Sequence, residues 1–325
     1  MPRECGEQPA SVARGPVGHS PPLSAEALHG KVVLVDFWEY TCVNWIRTSP
    51  YVKAWNYLYA PFGLVVVGVH APEFEFGQSP GNIDRGIRDH GLTYPIAIDN
   101  HFALWRAFGN DAWPAKYLFD DQGRLVRRWI GEGSYDEIER EIRRLLIAAH
   151  PGSQLPPVSE PASAFTKTGQ PSYVGITNET YIGAERREPG AVTLKGDWHT
   201  DPQYVELKKG IGEIVIPFAG GEVNLVMQPG PSGRAPVTVL LDGKPIGDAR
   251  GMDVGTDGVA RFDRLGDDPP RRRCATATAH ADTVLDRCWA SRLCVHLRSL
   301  RRTQARCRRR LVDRTSHQPG RLASA

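Results

Sequence analysis

The apolar positions of the first 150 residues change rhythm along the chain, and each change marks an element. The continuous β-branched run Lys31 to Phe37 predicts a strand buried on both faces. Next, Ile46, Tyr51, Val52, Trp55 and Tyr59 recur at three- and four-residue spacings. They predict a helix over Val43–Tyr59, kinked at Pro50. Leu64–Val69 is a second buried strand, Asn82–His90 a helix stopped by Gly91, and Pro95–Asp99 a short strand. Ala103–Phe108 is a helical segment ended by Gly109, and Ala112–Phe119 a strand entered through Pro114. Asp120 to Gly123 then turns a hairpin into Arg124–Gly131. Tyr135–His150 closes the region as an amphipathic helix with Ile138, Ile142, Leu145 and Leu146 on one face. Strands alternating with helices imply an α/β domain with a parallel-containing sheet covered on both faces.

The rhythm differs on either side of this region. Residues 1–19 are Pro/Gly-rich and unpatterned, a flexible leader, and residues 151–170 form a Pro/Ser-rich linker. Residues 171–266 carry short apolar runs between Gly and Pro turns: Ala191–Leu194, Tyr204–Leu207, Gly212–Phe218, Val223–Gln228, Pro236–Leu241 and Val259–Phe262. That pattern predicts an all-β sandwich, jelly-roll-like. Over residues 267–325 the alternation stops and Arg, Ala and Cys dominate. This stretch reads as an out-of-frame translation, which would leave the sandwich without its terminal strands. A basic tail for nucleic acid or anionic lipid, and a zinc site, are the competing readings.

Charge follows the same division. The net charge of +3 conceals fourteen Arg, no Lys and three Asp in residues 269–325, against 26 basic and 34 acidic side chains elsewhere. The mildly acidic main body argues against a nucleic-acid partner. Four of the six cysteines (Cys274, Cys288, Cys294 and Cys307) fall in the basic tail, leaving Cys5 and Cys42, so the body is no disulfide scaffold. No metal or cofactor is expected. The first residues lack an apolar signal segment and no apolar run is long enough to cross a membrane, so the sequence as written reads as cytoplasmic.

The chemistry centres on Val32 to Pro50, VVLVDFWEYTCVNWIRTSP. A strand, an aromatic turn and a helix place Cys42 at a helix N-terminus, where unpaired N–H groups and the helix dipole favour a thiolate. Trp38 and Tyr40 would shield this thiol and Arg47 would assist it. A buried, inert cysteine is the competing reading. Trp113-Pro114 precedes the third sheet segment. It is expected as a cis proline beside the thiol, exposing backbone to an extended substrate, with an ordinary strand-entry proline as the alternative. Glu39, Glu73 and Glu75 fall on loops at the same end of the sheet; solvated carboxylates are the favoured reading, proton transfer the other.

These segments, with GLVVVGVHAPEFEF, YPIAIDN, ALWRAFGN, WPAKYLFDDQGRLVRRWIGEG and the closing helix, resemble the soluble region of DipZ-type proteins, thioredoxin-like proteins related to cytochrome c maturation. The resemblance continues through NETYIGAERRE, LKGDWHTDPQYVEL and VTVLLDGKPIG, which are similar to a carbohydrate-binding-like jelly roll. It implies a thioredoxin-like domain over residues 20–150 and extracytoplasmic thiol-disulfide exchange with protein thiols and disulfides. A membrane electron-transfer partner, and glycan binding by the second domain, are further implications. The family pattern Trp-x-Tyr-Thr-Cys-x-Asn-Cys falls on Trp38, Tyr40, Thr41, Cys42 and Asn44, and then fails at Trp45. Pro114, preceded by Trp113, matches the family's special proline.

Dithiol exchange needs a second thiol to release the mixed disulfide. Cys42 alone forms that adduct without resolving it, so dithiol activity is expected to be impaired. A monothiol enzyme resolved from outside, a degenerate copy, and a lesion at codon 45 all account for Trp45. A thiol peroxidase with Cys42 as the peroxidatic residue is disfavoured by Thr41 standing directly beside it. A non-catalytic glycan binder, with Tyr181, Trp198 and Tyr204 stacking on sugars, is the remaining reading.

Overall fold

The computed structural model describes residues 23, 25–159, 177–220, 222–228 and 234–263, and the backbone of 279–280, 291–298 and 321–322. The leader and most of the linker lie outside the described residues. The chain divides into two compact units, Met1–Ser172 and Tyr173–Ala325.

The first unit is built on one five-stranded sheet. After the short helix α1 (Ala25–Leu28), β1 (Val32–Trp38) forms the centre and is buried along its whole length. Helix α2 (Val43–Tyr59) leads to β2 (Leu64–His70), and α3 (Pro80–Asp89) to β3 (Ile96–Ile98). Helix α4 (Ala103–Ala107) precedes the hairpin β4 (Ala115–Phe119) and β5 (Leu125–Ile130), and α5 (Tyr135–Ala149) closes the unit. The strand order is β3-β2-β1-β4-β5, with β1, β2 and β3 parallel and β4 and β5 antiparallel. This is the thioredoxin-like arrangement. Helix α2 runs on through Pro50 as one element of 17 residues.

Alternation along β1 assigns its side chains to two cores. Val32, Leu34 and Trp38 join Trp45, Val52 and Trp55 of α2, Ile83 of α3 and Ile138, Ile142 and Leu146 of α5. Val33, Val35 and Phe37 join Leu28, Leu104, Tyr117 and Phe119 on the other face. A strand buried on both faces has no solvent side on which to place a charge at low cost. Asp36 is nevertheless there, fully buried.

The second unit is all-β. Its strands are β6 (Thr193–Thr200), β7 (Val205–Phe218), β8 (Glu222–Val223), β9 (Met227–Gln228), β10 (Arg234–Leu241), β11 (Lys244–Pro245), β12 (Val259–Asp263), β13 (Ala279–His280), β14 (Ser291–Arg298) and β15 (Arg321–Leu322). One eight-stranded sheet contains the path β11-β10-β14-β7-β15-β9, with β12 on β10 and β6 on β7; β13 and β8 form a separate pair.

Two sequence expectations differ from this arrangement. Val205–Leu207 and Gly212–Phe218 belong to one 14-residue strand: the exposed, glycine-containing stretch Lys208 to Ile211 stays in the sheet, with Gly210 at a positive φ of 76°, where a turn was expected. Alternation also resumes within residues 267–325: β14 pairs with β7 and β10, and its sequence SRLCVHLR alternates Leu293, Val295 and Leu297 with polar neighbours and Cys294.

Candidate functional site

Cys42 sits at the N-cap of α2 with an extended backbone, and its carbonyl accepts the first helical hydrogen bond from Ile46 at 2.9 Å. The side chain is 5% exposed, and Sγ lies 3.9 Å from the carbonyl oxygen of Trp113. The Trp113–Pro114 peptide bond is cis. The Trp113 indole donates to the carbonyl of Ala71 at 3.0 Å, fixing that loop to the residue after β2. Thus α2, the end of β2 and the entry to β4 meet at one thiol.

Trp45 lies one helical turn beyond Cys42 on the same face. It is fully buried, its ring centroid is 4.8 Å from that of Trp38, and the edge of His90 meets it at 5.0 Å. Its indole N–H donates to Asp36 Oδ2 at 2.9 Å. The indole therefore fills the place the second thiol of a Cys-x-x-Cys pair would take and engages the carboxylate beneath it.

Asp36 faces Lys116 across the β1–β4 register, and both side chains are fully buried. Burial raises the Asp36 carboxyl to about 6, against the opposing pull of the Lys116 charge and the Trp45 hydrogen bond. Burial likewise lowers the Lys116 ammonium to about 8, opposed by the nearby charges of Asp36, Glu132 and Cys42. The same proximity means that a protonated Lys116 favours a Cys42 thiolate. Lys116 Nζ donates to the carbonyl of Gly131 at 3.2 Å. His90, whose ring nitrogen is 3.2 Å from the Tyr40 carbonyl, is held below the ordinary imidazole range, chiefly by burial.

The other sequence-predicted residues surround this centre. Tyr40 stacks on His70, and Thr41 is fixed by the Glu39 carboxylate. Asn44 follows in the first turn of α2, and Arg47, expected to assist the thiol, pairs with Glu132 at 3.5 Å. Glu75 is exposed and Glu73 half-buried, whereas Glu39 departs from the expected solvated carboxylate. It is completely buried because the turn after β1 folds inward over His70. Sequence reasoning missed Asp36, Lys116 and His70 as site residues. The available signal was a charged residue inside strands otherwise expected to be fully apolar, VVLVDFW and AKYLF.

In the second unit, Trp198 is half-buried against the core, and its N–H donates to the Lys195 carbonyl at 2.9 Å. Arg186 covers the ring of Tyr181 at 3.7 Å, and Tyr204 is half-buried. Among the described residues no cluster of His, Cys, Asp and Glu is arranged to hold a metal ion.

Thiol-disulfide oxidoreductase YkuV of Bacillus subtilis is 34% identical over 125 residues, which cover 38% of this chain and 84% of that protein. This chain belongs to the thioredoxin-like thiol-disulfide oxidoreductases. Protein DipZ of Mycobacterium tuberculosis is 36% identical over 246 residues, 69% of this chain and 34% of DipZ, so the chain spans about a third of that relative's length. Residues 162–264 match the family model described as the thioredoxin like C-terminal domain. At the head of α2 this chain reads Cys42-Val43-Asn44-Trp45.

Proposed function

We propose that this protein is a single-thiol exchange protein: Cys42 attacks a protein disulfide and holds the resulting mixed disulfide until an external thiol releases it. The observation carrying this reading is Trp45, buried and hydrogen-bonded to Asp36 where an internal resolving thiol would stand. The Cys42 thiolate forms a bond to one substrate sulfur while the other leaves as a thiolate and takes up a proton. A second, external thiolate then attacks the substrate sulfur of the adduct, forms a disulfide with it and expels Cys42 as a thiolate. Helix position and the buried Lys116 support the thiolate, and the Trp113–Pro114 loop borders its sulfur.

Extracytoplasmic placement and a membrane redox partner remain part of the proposal through the DipZ likeness. Among the described residues no helix is long and apolar enough to cross a membrane. Incubation with oxidised insulin and no other thiol tests the chemistry. One insulin molecule should become attached per Cys42 and persist until dithiothreitol is added. An insulin adduct that still forms in Cys42→Ser at the wild-type level, or no adduct in the wild type, would defeat the reading.

A further inference from the structure

We propose that Phe102, Trp105 and Trp113 form an aromatic shelf beside Cys42 that selects protein disulfides with a large apolar residue, above all an aromatic one, next to the reacting cysteine. The inference rests on the reading of Cys42 as the exchanging thiol and names its substrate class. Trp113 ties the shelf to the chemistry, because its carbonyl oxygen lies 3.9 Å from Sγ. From Trp113 the row continues into α4: the Trp105 ring centroid is 4.3 Å from that of Trp113, and Phe102 meets Trp105 edge-on at 5.8 Å. All three residues are half-buried, so each keeps part of its surface open to a partner.

The shelf is held from beneath and at both ends. Trp105 stands edge-on against the buried Phe37 of β1 at 5.8 Å. The Trp113 indole donates to the Ala71 carbonyl at 3.0 Å. Asn110 braces the same loop, donating to the Ala112 carbonyl at 3.0 Å and accepting from the Tyr117 hydroxyl at 3.1 Å. At the other end the buried Asp99 carboxylate accepts the amides of Ala103 at 2.7 Å, Leu104 at 3.2 Å and Trp105 at 2.8 Å, which fixes the start of α4. Rings fixed before binding lose little freedom when a partner docks, which favours an aromatic anchor site.

Phe102 is the residue that folding alone does not explain. Its backbone is left-handed, with φ 55° and ψ 30°, a region that glycine or asparagine occupies at lower cost than a bulky side chain. Among the described residues it joins neither apolar core, whereas Trp105 packs on one and Trp113 on the other. Its ring instead lengthens the row begun by Trp113 and Trp105. Residues held in unfavourable backbone regions cluster at ligand sites. A substrate chain whose sulfur reaches Cys42 passes Trp113, and its next residues, about 3.3 Å apart when extended, come within reach of Trp105 and Phe102. An aromatic side chain there can stack or meet these rings edge-on, a gain beyond the apolar area it buries.

The test uses the reduced full chain and short peptides whose cysteine carries thionitrobenzoate in a mixed disulfide: Ala-Cys-Ala-Ala, Ala-Cys-Trp-Ala and Ala-Trp-Cys-Ala. The Cys42 thiolate bonds to the peptide sulfur as the bond to thionitrobenzoate breaks, expelling it as a thiolate. Acid quenching, peptic digestion and mass spectrometry give the rate of adduct formation at Cys42, divided by the rate of the same peptide with glutathione. At least one tryptophan peptide should react about tenfold faster than the alanine peptide. Phe102→Gly removes the ring and suits the left-handed backbone; it should cut this preference to about threefold, and Trp105→Leu should bring it near parity. A merely structural role would slow all the peptides together and leave the ratio in place. A wild-type ratio below about twofold, or a wild-type ratio kept in either folded variant, overturns the shelf and leaves exchange standing. If Trp105→Leu does not fold by circular dichroism, Phe102→Gly decides. A wild-type Cys42 that forms an adduct with none of the peptides would instead remove the exchange function itself.

Discussion

Replacing Trp45 with cysteine supplies the missing thiol and removes a core side chain in one step. Trp45 is fully buried, packs on Trp38 and His90, and gives Asp36 Oδ2 its indole hydrogen bond. Truncating a buried aromatic of this size costs about 3–5 kcal/mol, part of it from the cavity left behind. Loss of a hydrogen bond to a buried carboxylate accounts for about 1–3 kcal/mol within that sum. Against a typical domain stability of about 5–15 kcal/mol, Trp45→Cys should fold but be markedly weakened. Trp45→Phe separates the effects: it keeps most of the volume, loses the N–H, and should cost about 1–2 kcal/mol. Urea unfolding of the first unit by circular dichroism, in reductant, measures both variants. Insulin reduction with dithiothreitol then measures turnover. Trp45→Cys should turn over well above the wild type, while Trp45→Phe should not. A folded Trp45→Cys without turnover would show that the absent thiol is not the decisive lesion, and a stability loss under about 1 kcal/mol would contradict the core role of the indole.

Asp36 should make stability depend on pH in an unusual sense. Its folded value of about 6 lies above the ordinary 3.8, so its contribution is harmless below the unfolded value and becomes destabilising as pH rises through about 6. Asp36→Asn should therefore gain roughly 1–2 kcal/mol at pH 7 relative to pH 3.5, a gain limited by the Lys116 ammonium losing its partner. Urea titrations at the two pH values read it, and an equal effect at both would refute the assignment. Gly86→Ala should also perturb the site, because an added Cβ would stand 2.6 Å from Tyr40 Cβ in the thiol turn. The expected cost is about 1–3 kcal/mol, with slower Cys42 alkylation; unchanged alkylation would show that α3 does not brace the turn.

Much of the first unit is legible in its rhythm, since β1, α2, β2 and α5 each bury a periodic apolar face and fall close to the predicted limits. The Cys42 position follows from the same strand-turn-helix logic. Glu39 was not legible, because nothing in a Trp-Glu-Tyr turn shows that it folds inward over a histidine about thirty residues on. Asp36 and Lys116 were visible as charges in apolar strands, but their meeting depends on the antiparallel register of β1 and β4, a non-local property. In the second unit Gly210 and Gly212 suggested a turn where β7 runs on, and the Arg-rich composition masked the alternation of β14.

The most direct measurement of the single-thiol mechanism is a trapping experiment with the reduced full chain and a protein disulfide in the absence of added thiol, followed by mass spectrometry. The mechanism predicts one adduct at Cys42, lost in Cys42→Ser, that persists for the whole incubation and is released stoichiometrically by an external thiol. Spontaneous release with repeated turnover, or no adduct at Cys42, would contradict it.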